Sequence, residues 1–270
     1  MNSKNPAQAK SGGATVAGTA SFSKFMRVLD VIAAGTGKGV NIIDLNESTG
    51  YPKPTLYRIV DALIAQGLIV PRGAQSFGLG PRLIMLASRA LESSDIRQVC
   101  RDELLALREL TQETIHLAVP VSGAMTYIDK LESPKAVRMN SRLGSQVTLY
   151  SSSVGKAYLA ALDADQRNRL LGSIEFKKFT DSTLLSAAAL RGEISQIQEQ
   201  GFAEDREENE QDIFCYGCAI LDKNGQPIAG MSISIPRFRI GADRQDSYID
   251  PLKKACKAIT QKLRSLDLEA

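Results

Sequence analysis

Residues 42–80 constrain the fold of this chain more than any other stretch; they read IIDLNESTGYPKPTLYRIVDALIAQGLIVPRGAQSFGLG. A short apolar segment ends at Gly50, where glycine allows a sharp turn. A second helix is predicted to begin at Pro52, since proline suits a first helical turn, and to end near Gly67. Its predicted core positions follow helical spacing and are Leu56, Ile59, Val60 and Leu63. Two short strands around a basic turn follow, and the order helix, turn, helix, wing predicts a winged helix-turn-helix.

The preceding segment, SFSKFMRVLDVIAAG at 21–35, has the period of an amphipathic helix. Ser21 is placed to cap its N-terminus and Gly35 to end it. Its apolar stripe consists of Phe22, Phe25, Met26, Leu29, Ile32 and Ala33. We expect this stripe to be core beneath the next two helices, without a chemical role.

The cations of this region are placed where DNA phosphates would lie. Residues 21–80 contain six Lys and Arg residues against four acids, a surplus too small to decide the matter alone. Position says more, because phosphate neutralisation needs cations at the groove edges rather than a large net charge. The residues predicted to contact DNA are Lys53, Thr55, Tyr57 and Arg58 on the second helix and Arg72 at the wing. The alternative is a small helical subdomain whose polar face is merely solvated.

The bulk properties indicate a two-domain cytoplasmic protein. A length of 270 residues is comfortable for two domains, and 43% hydrophobic with 23% charged residues is ordinary for a globular chain. The net charge of +3 is too small for a protein that coats nucleic acid. No apolar run approaches the roughly 20 residues that cross a bilayer, so no membrane partner is expected. Residues 1–20 are small, polar and rich in glycine and alanine, which predicts a disordered tail.

Metal, redox and cofactor sites have little support. Cys215 and Cys218 form a C-x-x-C pair, but a structural zinc site usually needs four nitrogen or sulfur ligands, and there is no second pair. The one histidine, His116, belongs to a strand-like segment, IHLAVPV. Cys100, Cys218 and Cys256 are interpreted as small buried thiols of a reduced protein, while a role for Cys215 stays open. We therefore expect no metal and no cofactor.

Enzyme signatures are incomplete. Gly155-Lys156 resembles the end of a phosphate-binding loop, but two other positions of that motif carry the wrong residues. Ser153 and Lys156 satisfy S-x-x-K, yet the companion segments of penicillin-binding enzymes are absent. A single histidine leaves few routes to Ser-His or Cys-His catalysis. The six acids at 204–212 lack the spacing of an EF-hand calcium loop and are interpreted as a mostly solvated loop. Since none of these motifs is complete, we do not expect an enzyme.

The remaining chain mixes helical and strand-like segments. Helices are predicted at 81–95, 96–111, 151–162, 163–172, 184–201 and 250–266, and strands at 114–130 and 135–140. Asn224-Gly225 is a strong turn signal, so 215–222 and 227–235 are predicted to form a hairpin. Strands flanked by helices in this way predict an α+β domain.

Three motifs occur in the order of a known family. They are TGYPKPTLYRIVDALIAQGLIV followed by FGLGPRL, SSSVGKAYLAAL at 151–162, and GFAEDREENEQDIFCYGCAILDKNGQPIAGMSISIP at 201–236. With them the chain resembles the IclR-type bacterial transcriptional regulators. The resemblance implies an α+β protein made of a winged helix-turn-helix at 21–80, a linker helix at 81–95 and a GAF-like effector-binding domain at 96–270. Tyr57 and Pro54 depart from the His and Ser common in the family, so no base preference carries over.

The resemblance also implies a small-molecule pocket. Its polar positions fall on Asp205, Cys215, Ser232 and Ser234, its backbone N–H donors on Ser153 and Val154, and its apolar wall on Ala136, Met139 and Val147. Ser232 and Ser234 are two apart on a predicted strand and therefore share one face. Hydroxyls, a thiol and N–H groups at a helix end together suit a carboxylate. The alternative is that these serines are merely tolerated on a half-buried strand.

We therefore predict a ligand-responsive regulator of small-molecule catabolism genes. The expected partners are a double-stranded DNA operator and a small organic acid or related metabolite as effector. A second copy of the chain is also expected, because one recognition helix reads too few base pairs to select a site. Pairing is expected through the first helix and the linker helix, and the resemblance extends this to a possible tetramer. The alternative function is a winged-helix structural or interaction module without an effector.

Overall fold

The computed structural model describes residues 19–35, 39–73, 75–92, 95–136 and 139–265. Of the tail predicted at 1–20, residues 1–18 lie outside the described residues. The chain divides into two compact units with a boundary between 93 and 94, and each is described by itself. Among the described residues, none of the helices combines the length and the apolar character that crossing a membrane requires.

The described part of the N-terminal unit is a helical motif with a small three-stranded sheet. Its elements are α1 (Ala20–Ala34), β1 (Val40–Asn41), α2 (Ile42–Thr49), α3 (Lys53–Ala65), β2 (Ile69–Arg72), β3 (Ser76–Leu79) and α4 (Pro81–Glu92). The strands pair antiparallel in the order β1-β3-β2. The predicted order of helix, turn, helix and wing is confirmed. The linking role predicted for 81–95, which α4 largely covers, stays a prediction.

Local signals place the two helices of the motif. The Asn41 side chain caps α2 by accepting two backbone N–H groups at 2.8 and 3.0 Å, and the Asp44 carboxylate accepts the Asn41 N–H at 3.0 Å. Gly50 ends α2 with a φ of 71°, a left-handed conformation that glycine adopts without strain. The predicted start of α3 was one residue early. Pro52 has an extended ψ of 140° and is the N-cap residue, so the helix begins at Lys53.

The core of this unit confirms the prediction for α3 and corrects the one for α1. The four predicted positions of α3, Leu56, Ile59, Val60 and Leu63, are all buried. From α1 the buried residues are Val28 and Ile32, whereas Phe22 is 65% exposed and Met26 is 40% exposed. Phe25, Leu29 and Ile32 of the predicted stripe belong to or pack against this core, whereas Phe22, Met26 and Ala33 are exposed, so the prediction was right for half of the stripe. The helix also begins one residue before Ser21, and its N-terminus has no side-chain cap.

The C-terminal unit is built on a six-stranded antiparallel sheet in the order β6-β5-β4-β9-β8-β7, with helices on both faces. Its α-helices and strands are α5 (Asp95–Thr111), β4 (Thr114–Val121), β5 (Ala124–Leu131), β6 (Gln146–Val147), α6 (Ser153–Ala161), α7 (Ala164–Ser173), α8 (Ala187–Gln200), β7 (Ala203–Arg206), β8 (Ile213–Leu221), β9 (Pro227–Pro236) and α9 (Asp250–Ser265). The α+β class and the predicted β8–β9 hairpin are confirmed.

The strand predicted at 135–140 was wrong. None of its described residues lies in a strand. The backbone of this segment is held by a side chain instead, because Lys130 Nζ donates to the carbonyl oxygens of Met139 at 2.8 Å and Ser141 at 2.7 Å. A two-residue strand, β6, forms further along the chain and pairs with β5.

Alternation along β9 separates an apolar core from a polar face. Met231, Ile233 and Ile235 belong to the core that includes residues of α5 and α9. The intervening Ser232 and Ser234 lie on the other face, where Val154 of α6 packs within 3.4 Å of the position that a Cβ on Gly230 would occupy. The sheet therefore presents hydroxyl groups to the α6 side and apolar side chains to the α5 and α9 side.

Candidate DNA-binding surface and effector pocket

The residues predicted to contact DNA lie on the outside of α3 and on the wing. The exposed ones are Lys53, Tyr57, Arg58 and Arg72, and Thr55 is half-buried. The Arg72 side chain crosses the neighbouring strand β3, where a Cβ on Gly78 would come within 2.3 Å of Arg72 Nε. Within the described part of the chain, the cations among these residues form no ion pair with a carboxylate. Their charge is thus available to an external anion.

In the C-terminal unit, the N-terminus of α6 packs directly on the sheet. The Ser152 hydroxyl caps the helix by accepting the N–H of Gly155 at 3.1 Å. The first-turn N–H groups of Ser153 and Val154 have no acceptor within the helix. Strand β8 approaches so closely that a Cβ on Gly217 would lie 2.6 Å from the Ser153 carbonyl carbon. Only glycine permits this approach, which holds the helix end against the strands that carry the predicted polar residues.

Three of those polar residues lie side by side on three strands. Asp205 on β7 is opposite Cys215 on β8, and Cys215 is opposite Ser234 on β9. The Cys215 sulfur lies 3.1 Å from Ser234 Oγ. Asp205 and Ser234 are buried, whereas Cys215 is partly accessible. Ser232 is also buried and lies opposite His116 on β4.

Asp205 is folded into the turn that follows its strand. Its Oδ1 accepts the backbone N–H of Glu208 at 2.7 Å and that of Asn209 at 3.3 Å. Burial is the main cause that raises the pKa of Asp205 to about 7, and the negative charge of Glu208 adds to it. Lys156 and the two hydrogen bonds act in the opposite direction. Near neutral pH this carboxyl group can therefore act either as an acceptor or, when protonated, as a donor.

Asp205 adjoins a buried ion cluster that sequence analysis missed. Lys156 is fully buried, and its Nζ donates to Glu208 Oε1 at 2.6 Å and to Glu193 Oε1 at 3.3 Å. Arg206 donates to both oxygens of Glu193 at 2.8 and 3.0 Å. The loop at 204–212 was predicted to be mostly solvated. Asp205, which was predicted to lie in the pocket, is 3% exposed, and Glu208 departs from the prediction for the loop because it is 4% exposed with Lys156 as its buried counter-charge.

His116 reaches the same group of residues, although sequence analysis gave it no role. Its Nε2 lies 2.7 Å from Ser141 Oγ and its Nδ1 lies 3.3 Å from Ser234 Oγ. The ring stacks on Tyr127 with 4.4 Å between centroids. Burial, helped by the positive charge of Lys130, lowers the pKa of His116 to about 3. The imidazole is therefore neutral at physiological pH.

The three residues predicted for the apolar wall have different environments. Met139 is buried. Val147 lies on β6 opposite Met125 and packs against the core beneath α6 and α8. Ala136 is exposed. The wall assignments stay predictions, and the structure brings Val147 but not Ala136 into a packed environment.

The two thiols of the C-x-x-C pair point to opposite faces of β8. Cys218 belongs to the core that contains α9, whereas Cys215 contacts Ser234 on the other side. Burial raises the pKa of the Cys215 thiol well above its usual value, so the sulfur is not a thiolate. The described residues contain no group of three or more His, Cys, Asp and Glu that could hold a metal ion.

Comparison with known proteins agrees with both units. The family described as "Bacterial transcriptional regulator IclR C-terminal" matches residues 88–261, and the IclR helix-turn-helix domain matches residues 21–73. The chain is similar to the HTH-type transcriptional regulator KdgR of Escherichia coli (strain K12), with 32% identity over 245 residues that cover 90% of this chain and 93% of that protein.

Two solved structures have the same fold. The crystal structure of Thermotoga maritima IclR matches with a TM-score of 0.70 and 32% identity, covering 90% of this chain and 98% of that chain. An IclR homolog from Microbacterium hydrocarbonoxydans, crystallised with 4-hydroxybenzoate, matches with a TM-score of 0.75 and 22% identity, covering 90% and 99%. The chain belongs to the IclR family of bacterial transcriptional regulators and is a DNA-binding, effector-binding regulator of transcription, not an enzyme.

Proposed function

We propose that this regulator controls catabolic genes in response to a small organic acid bound between the N-terminus of α6 and strands β7–β9. The observation that carries the proposal is the juxtaposition of Asp205, Cys215 and Ser234 on neighbouring strands beside the start of α6, where the N–H groups of Ser153 and Val154 have no acceptor within the helix. Helix N-termini favour anions, and a carboxylate takes several donors at once. The 4-hydroxybenzoate of the Microbacterium homolog is such an acid.

In this pocket the predicted residues have distinct tasks. The N–H groups of Ser153 and Val154 and the hydroxyl of Ser232 or Ser234 would hold the carboxylate. Asp205 would form a hydrogen bond with a second polar group of the effector. Cys215 and the remaining wall residues, Ala136, Met139 and Val147, would set the size and shape of the site.

The DNA half of the proposal places α3 in the major groove of the operator. Lys53, Thr55, Tyr57 and Arg58 would face base edges and phosphates, and Arg72 would contact phosphate from the wing. The support is the exposure of this face and the absence of competing carboxylates among the described residues.

We also propose that the chain acts as a dimer that pairs through α1 and α4, with a dimer of dimers as an extension. Large apolar side chains are exposed on both helices: Phe22 and Met26 on α1 and Ile84, Met85 and Leu86 on α4. No residue of α4 is buried, and Ile84 is 74% exposed. Exposed apolar patches of this kind are typical of interfaces, and a second copy would supply the second recognition helix, about 34 Å or a multiple of that away.

The test of the effector is thermal unfolding of the full chain with small organic acids, including 4-hydroxybenzoate, pyruvate and gluconate, and with their uncharged amides. An acid that binds the folded chain raises the midpoint, and the amides should not. Calorimetry on the S232A/S234A variant should then show an affinity at least tenfold weaker, since each lost hydrogen bond to a charged group costs about 1.5–3 kcal/mol.

The matched control is S173A/S195A, which removes two exposed hydroxyls from α7 and α8. It should leave both effector and operator binding unchanged. Effector affinity that stays within a few-fold in S232A/S234A would contradict the pocket assignment. Loss of operator binding by that variant without effector would instead reveal a folding defect.

A further inference from the structure

A continuous series of polar contacts connects the pocket to the segment that follows β5. It runs from Ser141 Oγ to His116 Nε2 at 2.7 Å, from His116 Nδ1 to Ser234 Oγ at 3.3 Å, and from Ser234 Oγ to the Cys215 sulfur at 3.1 Å. Ser232 and Ser234 were predicted from the sequence, but His116 was not. The histidine is 1% exposed and neutral, so it carries a proton on only one of its two ring nitrogens.

The distances favour one direction for this series. A hydroxyl donor lies most often at 2.7–2.8 Å from its acceptor, and a nitrogen donor at 2.9–3.0 Å or slightly more. The 2.7 Å contact therefore fits the Ser141 hydroxyl donating to Nε2. The 3.3 Å contact exceeds the usual upper distance for a hydroxyl donor, about 3.0 Å, by more than the one for an N–H donor, about 3.2 Å, so it is closer to a weak donation from Nδ1–H to Ser234.

The charges around the ring favour the same direction. Lys130 Nζ holds the carbonyl oxygen of Ser141 at 2.7 Å, which places its positive charge on the Nε2 side of His116. A positive charge there stabilises a bare lone pair on Nε2 rather than an N–H. On the Nδ1 side lies the Ser234 hydroxyl, whose oxygen can accept an N–H from the ring.

We propose that His116 is a positioning residue that donates from Nδ1 to Ser234 Oγ and thereby turns the Ser234 hydroxyl hydrogen towards the effector. One lone pair of Ser234 then accepts from the histidine, and among the contacts of the described residues its hydroxyl hydrogen has the Cys215 sulfur, a weak acceptor, as its partner. A carboxylate entering the pocket is a far stronger acceptor and replaces the sulfur. The effector class depends on the proposed function above, whereas the orientation of His116 and Ser234 belongs to the ligand-free chain.

The orientation is measured by ring-¹⁵N histidine NMR on a tag-free protein. Because the chain has one histidine, the spectrum contains a single imidazole. We expect a protonated Nδ1 and an unprotonated Nε2, unchanged between about pH 5 and 8, the range in which an ordinary histidine titrates. A protonated Nε2, or a ring that titrates in that range, would overturn the proposal.

Two serine variants test the direction independently of any effector. S234A removes the acceptor of Nδ1–H, so the Nε2–H tautomer, which can donate to Ser141 Oγ, should become populated. S141A leaves the Nδ1–H to Ser234 bond in place and would leave an Nε2–H without an acceptor, so the wild-type tautomer should persist. The reverse pattern, with the tautomer sensitive to S141A and insensitive to S234A, would refute the direction we assign. S195A, on the outside of α8, is the control and should leave the spectrum unchanged.

Acetate as a minimal carboxylate probe, with acetamide as the uncharged control, separates this inference from the proposed function. Acetate should shift the Nδ1 resonance of the wild type but not that of S234A, and acetamide should shift neither. A protonated Nδ1 without a response to acetate would support the orientation and contradict a carboxylate effector. A protonated Nε2 with a response to acetate would refute the orientation and leave the pocket in place.

Discussion

Replacing Lys156 with Met should be among the most destabilising single changes in the C-terminal unit. Lys156 is fully buried and bonds Glu208 at 2.6 Å and Glu193 at 3.3 Å. Glu193 also has Arg206, but the second oxygen of Glu208, Oε2, is buried without a partner in the described structure. K156M therefore leaves Glu208 as a buried charge without its cation, a change that typically costs about 3–5 kcal/mol.

Protonation of Glu208 sets an upper limit on this cost. Bringing a carboxylate with an ordinary pKa of about 4.3 to its neutral form at pH 7 costs about 3.7 kcal/mol, at 1.36 kcal/mol per pH unit. The expected loss is thus between about 3 and about 3.7 kcal/mol at pH 7. It should shrink by roughly 1.4 kcal/mol for each unit that the pH falls, because protonation becomes easier.

Urea unfolding followed by circular dichroism measures the loss, and amide exchange in α6 assigns it to the C-terminal unit. K156M/E208Q should recover most of the stability, since no uncompensated charge remains. K178M is the matched control: Lys178 is exposed and paired with Asp181, so its removal should cost less than about 0.5 kcal/mol. A loss below about 1 kcal/mol in K156M at pH 7, or one that does not change with pH, would refute the reasoning.

Three further predictions concern DNA binding, assembly and pH. In gel-shift titrations on a DNA fragment selected by the wild type, R58A should weaken binding to that site, and unchanged affinity would contradict the recognition-helix assignment. R72A should weaken binding to all sequences alike and lower the salt dependence of binding. Light scattering should show a dimer or a tetramer, and a monomer with and without DNA would exclude pairing through α1 and α4. Asp205, with a folded pKa of about 7 against about 3.9 unfolded, stabilises the fold at low pH, and this contribution is lost as the pH rises through 7. His116, with a folded pKa of about 3 against about 6.5 unfolded, has the opposite effect, and its contribution is lost as the pH falls through that range. D205N should remove the first slope and H116N the second in thermal unfolding curves.

The parts of the fold that were predicted correctly depend on local signals. Gly50 marks the turn of the DNA-binding motif because a left-handed φ of 71° strongly favours glycine there. Asn224-Gly225 marks the β8–β9 turn for a related reason, with a φ of 79° at Gly225. The conformation at each of these glycines depends on neighbours only about three or four positions away along the chain. A single sequence therefore reveals it.

The errors in the fold arise where a distant contact decides the outcome. The apolar residues of α1 cover a wide surface of the helix, and helical spacing alone does not say which part of that surface meets α2 and α3. The segment at 135–140 alternates like a strand, yet the Lys130 ammonium group binds the carbonyl oxygen of Met139 in place of a neighbouring strand. Neither fact is encoded near the residues that were misassigned.

The candidate site shows the same division in its chemistry. The family motif led to Asp205, Cys215 and Ser234, and strand alternation correctly placed Ser232 on the face of Ser234. The two residues that were missed interact over long separations: His116 is 118 positions from Ser234, and Lys156 is 52 positions from Glu208. Strand register and the packing of α6 on Gly217 bring these distant residues into contact, and both are properties of the folded unit.

The charged form of an ionisable group is unfavourable in a protein core unless a partner compensates the charge. Lys156 and Glu208 persist in the core as partners, and His116 persists as a neutral ring between two serines. In the proposed pocket, a bound carboxylate would act on the first arrangement through the protonation of Asp205, which adjoins it, and on the second through the hydroxyl hydrogen of Ser234. The groups that the sequence did not reveal are therefore the ones that adjoin the residues proposed to bind the effector.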